Sequence, residues 1–229
     1  MGTLRGFPNP PAMSSARPSR AALDATTALD FVEPARPIAL ELVGGRGHYE
    51  RVVRAVMNAR RSVWIATANL KELMVEDDRA APGRRRTIRT ASSRAPAYRS
   101  VLDVLDELAA RAVELRILHA ARPSGPFRAA LAGKPRLARG ALALRVCPRV
   151  HFKAVVVDGS FVYLGSANWT GAGLGAKGTG RRNFELGFAG GDDALLDRVQ
   201  ELYDRVWRGA ACKGCRLRDI CPAPLDGKR

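Results

Sequence analysis

The sequence predicts an α/β protein, a mixed β-sheet flanked by helices on both faces. Short apolar runs with a two-residue period alternate along the chain with longer runs at helical spacing, the pattern of strands and helices that cover one another. Of 229 residues 46% are hydrophobic, enough for one buried core. No apolar run approaches the roughly 18–20 residues that span a bilayer, and the N-terminal region holds no continuous apolar signal segment. The expectation is a soluble cytoplasmic protein without a membrane span.

Residues 1–36 carry Pro8, Pro10, Pro11, Pro18 and Pro34 among Ser and Ala, with no sustained period, which predicts a disordered leader. From Pro37 the pattern changes, and a folded domain is expected over residues 37–208. Ile38, Leu40 and Leu42 alternate as in a strand, and Gly44 and Gly45 end it. Tyr49, Val52, Val53, Val56 and Met57 then recur at helical spacing, and Ser62–Leu70 reads as the next strand. Residues 79–99 contain seven Arg and no acid, and Pro82, Gly83 and Pro96 break any regular element. This loop places Arg84, Arg85 and Arg86 either as contacts to a phosphate backbone or as a solvated insertion.

A second helix is predicted through Val101, Leu102, Leu105, Leu108 and Ala112, followed by a half-exposed strand at Val113, Leu115 and Ile117. Residues 122–140 read as a Pro- and Gly-containing connection. Further strands follow at Leu142–Val146, Ala154–Val157, Phe161–Leu164 and Phe184–Ala189. Asp192 or Asp193 caps a closing helix whose inner face is Leu195, Leu196, Val199, Leu202, Tyr203 and Val206. Residues 209–229 form a Cys-rich tail.

With 38 Lys+Arg against 22 Asp+Glu the formal net charge is +16, which favours encounter with a polyanion. Arg makes up 32 of the 38 basic residues, a bias that genomic base composition also produces. Charge therefore suggests a class of partner and leaves the chemistry open.

The chemistry is carried by HFKAVVVDGSFVYLGSANWTG, residues 151–171. If Val150–Asp158 is a strand, the two-residue period puts His151 and Lys153 on one face. Ser166 and Asn168 repeat that spacing after a second strand. Imidazole, ammonium, hydroxyl and amide together suit the non-bridging oxygens of a phosphoryl group.

His151, Lys153, Asp158, Gly165, Ser166 and Asn168 reproduce H-x-K-x4-D-x6-G-S-x-N, and in this the chain resembles the phospholipase D superfamily; Asn183 and Glu185 resemble the acidic position downstream. The resemblance covers about residues 38–207. It implies phosphodiester cleavage with no cofactor required, in which a histidine attacks phosphorus and forms a phosphohistidine. Attacking and leaving groups lie on opposite sides of phosphorus, so a second histidine must protonate the leaving oxygen. His48 and His119 lack a matching context, and the motif occurs once, as in the small dimeric endonuclease-type members. A homodimer with one composite site containing two copies of His151 is expected. The resemblance makes Lys153 and Asn168 ligands of phosphate oxygens, with Ser166 assisting. Glu185 is expected to accept a hydrogen bond from the imidazole. Asp158 falls on the opposite strand face and, like Gly165, is expected to be structural.

The tail reads CKGCRLRDICP, with Cys212, Cys215 and Cys221. This spacing is similar to the three-cysteine end of the iron–sulfur site in RecB-like nucleases, and Cys147 is the one candidate for a fourth ligand. Four thiolates suit a cubane cluster or a tetrahedral zinc ion, while the alternative is a free-thiol tail with Cys147 a small apolar strand residue. For the whole chain the first expectation is a nuclease acting on DNA or RNA. The alternatives are a phosphatidyl-lipid hydrolase or transferase and a nucleic-acid-binding repair accessory.

Overall fold

Val63, Ile65, Leu115 and Ile117 recur at every second position, and a strand buried on that face is the element that satisfies them. In the computed structural model, which describes residues 29–77 and 97–227, they line the middle of a seven-stranded mixed sheet. In chain order its strands are β1 (Glu41–Gly44), β2 (Ser62–Thr67), β5 (Glu114–His119), β6 (Leu142–Val146), β7 (Lys153–Val157), β8 (Phe161–Gly165) and β9 (Leu186–Gly190). A separate antiparallel pair, β3 (Met74–Glu76) and β4 (Tyr98–Ser100), flanks residues 78–96 in the chain. Across the large sheet the order is β1-β9-β8-β7-β2-β5-β6. β2, β5 and β6 run parallel, and the other pairings are antiparallel.

Helices cover both faces, as the alternation of elements requires. On one face a π-helical turn, Tyr49–Val53, runs into α1 (Arg54–Met57) and packs with α2 (Val101–Ala110). Val52, Val56, Leu102 and Leu105 meet Ile65, Ile117, Val155 and Tyr163 there. Ser100 starts α2 through a capping box, its Oγ accepting from Leu102 N at 3.0 Å while Asp103 accepts from Ser100 N at 3.1 Å. On the other face α4 (Asp193–Trp207) lays Leu196, Val199 and Tyr203 over Ala154, Val156 and Val162. Asp192 is its cap, accepting from Leu195 N at 2.8 Å. Its hydrogen bonds to the Arg36 guanidinium, first, and to that N–H hold its carboxyl down at about 2.

The structure departs from the sequence-based expectations in four places. The first strand begins at Glu41 rather than near Ile38. Part of the expected leader is tied down, since Glu33 pairs with Arg198 at 2.9 Å and Arg36 with Asp192; residues 1–28 lie outside the described residues. Residues 125–132 of the expected connection form a helix, α3 (Gly125–Ala132). Ser124 caps it, Pro126 suits its first turn, and fully buried Phe127 anchors it. Arg99, placed in a loop by the sequence, sits in β4 and pairs with Glu107 and Asp77. Arg84, Arg85 and Arg86 lie outside the described residues. No helix among the described residues is long and apolar enough to cross a membrane.

Two imidazoles are buried in this fold. His48 and His119 direct Nδ1 at the carbonyls of Gly45 (3.2 Å) and Ala121 (2.9 Å), which fixes Nδ1 as the protonated nitrogen. Burial, the larger influence on each, pushes both pKa values below the usual histidine value. The folded chain therefore binds fewer protons than the unfolded one once pH falls below about 6.5, and stability is lost on acidification. Glu72, raised by burial, works in the opposite sense on the acid side. The urea midpoint is expected to fall between pH 7.5 and 5.5; an unchanged or higher midpoint contradicts this account.

Candidate active site

The antiparallel pairing of β7 with β8 opposes Lys153 to Gly165, so the His-Lys and Ser-Asn halves of the motif emerge at one end of the sheet. That end also carries the carboxyl termini of β2, β5 and β6, because Ala66 opposes Ala154 and His119 opposes Val146. Crevices at the carboxyl ends of parallel strands are where α/β sheets hold ligands.

His151 precedes the strand instead of lying in it. Pro148 and the turn closed by Val150 N to Cys147 O at 2.9 Å interrupt pairing, so regular structure resumes only at Lys153. The imidazole is consequently exposed, while Lys153 is 9% exposed. Lys153 Nζ donates to His151 O at 2.6 Å and stands 3.3 Å from each ring nitrogen. The burial fixes the ammonium, and its position puts a positive charge directly beside the ring.

Asn168 is oriented by its oxygen. Oδ1 accepts from Ala68 N at 3.1 Å, Asn69 N at 3.0 Å and Thr67 Oγ1 at 3.3 Å. A carbonyl caged by two backbone N–H groups leaves Nδ2 to donate elsewhere, which suits it to an anionic oxygen. Thr67, 1% exposed, also accepts from Trp169 N at 2.9 Å and so ties the end of β2 to the motif loop. Sequence reading missed Thr67. The available signal was a polar residue ending an otherwise apolar strand.

Glu185 stands in a different arrangement from the one expected. Its carboxylate accepts from Ser166 Oγ and, at 3.1 Å, from Asn183 Nδ2, rather than from the imidazole of His151. The reason is register, since Gly165 opposes Gly187 and Ser166 N bonds Leu186 O at 2.9 Å, which sets Ser166 beside the start of β9. Beneath this group the buried rings of His48 and Tyr163 meet edge to face at 5.5 Å. Burial pushes the Tyr163 hydroxyl up to about 12, so the phenol stays protonated.

Asp158 ends the opposite side of β7 in the left-handed region, with φ at 57°. Burial works against its charge, but the N–H groups of Ser62, Arg61 and Arg60 more than offset this and hold its pKa low. Its carboxylate fastens β7 to the start of β2 and lies away from His151. Gly165 is demanded by space, because a Cβ there would stand 2.3 Å from Tyr163 Oη and 2.7 Å from the Gly187 Cα. Gly165→Ala is expected to cost about 1–3 kcal/mol of stability. Equal melting temperatures for variant and wild type would contradict the packing described.

Cys147 follows β6, while Cys212, Cys215 and Cys221 lie beyond α4; all four are unpaired by disulfides and half-buried.

The family described as cardiolipin synthase, PLD-like domain, matches residues 52–207. Among solved structures, NucT from Helicobacter pylori is 14% identical over 73% of this chain and 94% of its own, with a TM-score of 0.48. Nuc from Salmonella typhimurium, a phospholipase D family member, is 19% identical over 74% of this chain and 94% of its own, with a TM-score of 0.47. The phosphatidylserine synthase of Haemophilus influenzae Rd KW20 is 13% identical over 73% of this chain and 38% of its own, with a TM-score of 0.47. No curated protein matches the sequence.

Proposed function

Because the chain belongs to the PLD-like domain family of cardiolipin synthase, within the phospholipase D superfamily, we propose that it is a phosphodiesterase that cleaves nucleic acid without a metal in the reaction. The reading is supported by the contact of Lys153 with His151 and by the pairing of β7 with β8, which carries Asn168, its Oδ1 held by backbone N–H groups, to the same end of the sheet. A ring nitrogen of His151 attacks phosphorus, the bond to the leaving oxygen breaks, and a phosphohistidine forms. A second imidazole donates its proton to the leaving oxygen, then takes one from the water that displaces His151 and restores the free ring. Lys153 and Asn168 hold the non-bridging oxygens as charge shifts onto them. Glu185 acts by fixing Ser166.

The second imidazole is His151 of another copy. His48 and His119 are buried and engaged with carbonyls, so neither serves as the acid. An apolar surface beside the site supports the pairing: Leu42, Leu186 and Phe188 share one face of β1 and β9, are 67%, 64% and 52% exposed, and begin next to Glu185. Burying such a surface against its symmetry mate would bring two half-sites together. The charge of +16 favours a nucleic acid as the polyanion. The family's description favours a phosphatidyl lipid as the second reading.

The test is incubation in excess EDTA with supercoiled plasmid, single-stranded DNA, RNA and anionic phospholipid vesicles, for wild type and His151→Ala. Cleavage of a nucleic acid by wild type alone is expected. Turnover of lipid alone would overturn the substrate assignment, and no turnover by a folded protein would overturn the phosphodiesterase reading.

A further inference from the structure

The chain between Asn168 and Glu185 forms a loop whose first half is rooted and whose second half is displayed. Trp169 and Leu174, each 1% exposed, fix the first half in the core. Thr170 stiffens it, its Oγ1 accepting from Gly173 N at 3.0 Å and its O from Leu174 N at 2.9 Å. Gly175 runs so close to the chain ahead of the first helical turn that a Cβ there would stand 2.4 Å from Gly45 O. The second half is laced to the first. Lys177 N bonds Gly171 O at 3.1 Å, Arg182 Nε donates to Lys177 O at 2.6 Å, and Asn183 N bonds Ala172 O at 3.1 Å.

On that base residues 177–184 read KGTGRRNF, and residues 171–184 hold no Asp or Glu. Lys177 and Arg181 are exposed and Arg182 is half-buried. Among the described residues none of the three cations is paired with a carboxylate, whereas Arg46, Arg99, Arg116 and Arg198 each are. Three positive charges without a local acid leave a place for an anion. Phe184, 107% exposed, is the most exposed large hydrophobic side chain among the described residues. It precedes β9 and lies outside the pairing with β1, which begins at Leu186. Its neighbours in the chain belong to the candidate site, since Asn183 Nδ2 donates to Glu185 at 3.1 Å and Glu185 accepts from Ser166 Oγ. An aromatic ring held in water beside cations, one residue from the site, forgoes the burial a Phe side chain ordinarily gains.

Resting on the phosphodiesterase reading above, we propose that this loop is a lip that selects single-stranded nucleic acid. Phe184 stacks on an unpaired base next to the phosphate at His151, and Lys177, Arg181 and Arg182 hold the flanking phosphates. A base within a duplex is already stacked on both faces, so the ring rewards only an unpaired one. Every base has a π-face, and the lip is therefore tolerant of sequence. A membrane is the poorer occupant, because residues 177–183 contain no large apolar side chain to enter a bilayer with Phe184. One aromatic ring is a complete stacking partner by itself.

Binding of a short labelled single strand, and of the same sequence as duplex, is measured with the full chain carrying His151→Asn so that nothing is cleaved. Adding Phe184→Ala is expected to weaken single-strand binding about tenfold and to leave duplex binding nearly unchanged, with Phe184→Trp restoring the wild-type preference. Lys177→Ala is expected to lower the salt slope of single-strand binding by about 0.7. Phe184 touches little in the folded chain, so these variants fold. Single-strand binding unchanged by Phe184→Ala, or fully recovered by Phe184→Leu, would overturn the stacking lip. So would a Phe184→Ala loss confined to anionic phospholipid vesicles, or a loss that sedimentation traces to a change in assembly state. Hydrolysis of bis(p-nitrophenyl) phosphate by the wild-type chain tests the chemistry apart from the lip, since that small diester has no base to stack. Hydrolysis without any effect of Phe184 on binding overturns the lip alone, and stacking without hydrolysis overturns the phosphodiesterase reading alone.

Discussion

Replacing His151 by asparagine is expected to lower phosphodiester turnover by about 10^4-fold or more, since in the proposed two-fold composite site one substitution removes both the nucleophile and the acid. The stronger result concerns mixtures. If wild-type and His151→Asn chains are refolded together in equal amounts and pair at random, about one quarter of the dimers carry two imidazoles. Activity per total protein should then approach that quarter. Chains that each held a complete site would retain about half, and that result would refute the composite site. The exposed position of His151 ahead of β7 makes the substitution a mild one for folding. If DNA is the substrate, binding of an uncleaved DNA at low salt should survive it, because its backbone would be held by charge spread over many side chains.

If the proposed dimer forms through this face, Phe188→Asp combined with Leu186→Asp is expected to leave the chain monomeric and to remove the proposed cleavage with it. Both side chains are mostly exposed in the single chain, so the fold itself loses little when they become polar. Buried against a second copy, each aspartate would be an unpaired charge in an apolar contact, costing several kcal/mol in the complex. Sedimentation velocity reports the assembly state, and the thermal midpoint reports the fold. A variant that remains dimeric and active would show that this face does not make the pairing. A monomer that still cleaves would show that one imidazole suffices, and the mechanism above would have to be abandoned.

The two predictions rest on different kinds of information. His151, Lys153, Ser166 and Asn168 were picked out in the sequence by their offsets alone; the strand period expected for them does not apply, because His151 lies ahead of β7 and Ser166 and Asn168 beyond β8, and it is the pairing of those two strands that carries them to one end. The apolar face was not legible. Leu42, Leu186 and Phe188 look in the sequence like any inward-facing strand residues, and only the placement of α4 over β7 and β8 leaves them uncovered.

The sequence by itself determined the local elements and the content of the site. Alternation in Val63–Ile65 and Leu115–Ile117 demanded strands, Asp192 demanded a helix start, and the motif named the residues of the proposed site. Each signal acts over a few residues, where backbone geometry dictates which side chains are neighbours. Tertiary structure alone decided what lies across the sheet: that Asn168 is caged by backbone one hundred residues away at Ala68, that Glu185 serves Ser166, and that no three of Cys147, Cys212, Cys215 and Cys221 stand close enough to hold one metal ion. It also decided that α3 forms, since Phe127 gains from helix only where a core receives it. The reason is physical. Hydrogen-bond partners and burial across a sheet depend on strand order and register, and those depend on every strand at once.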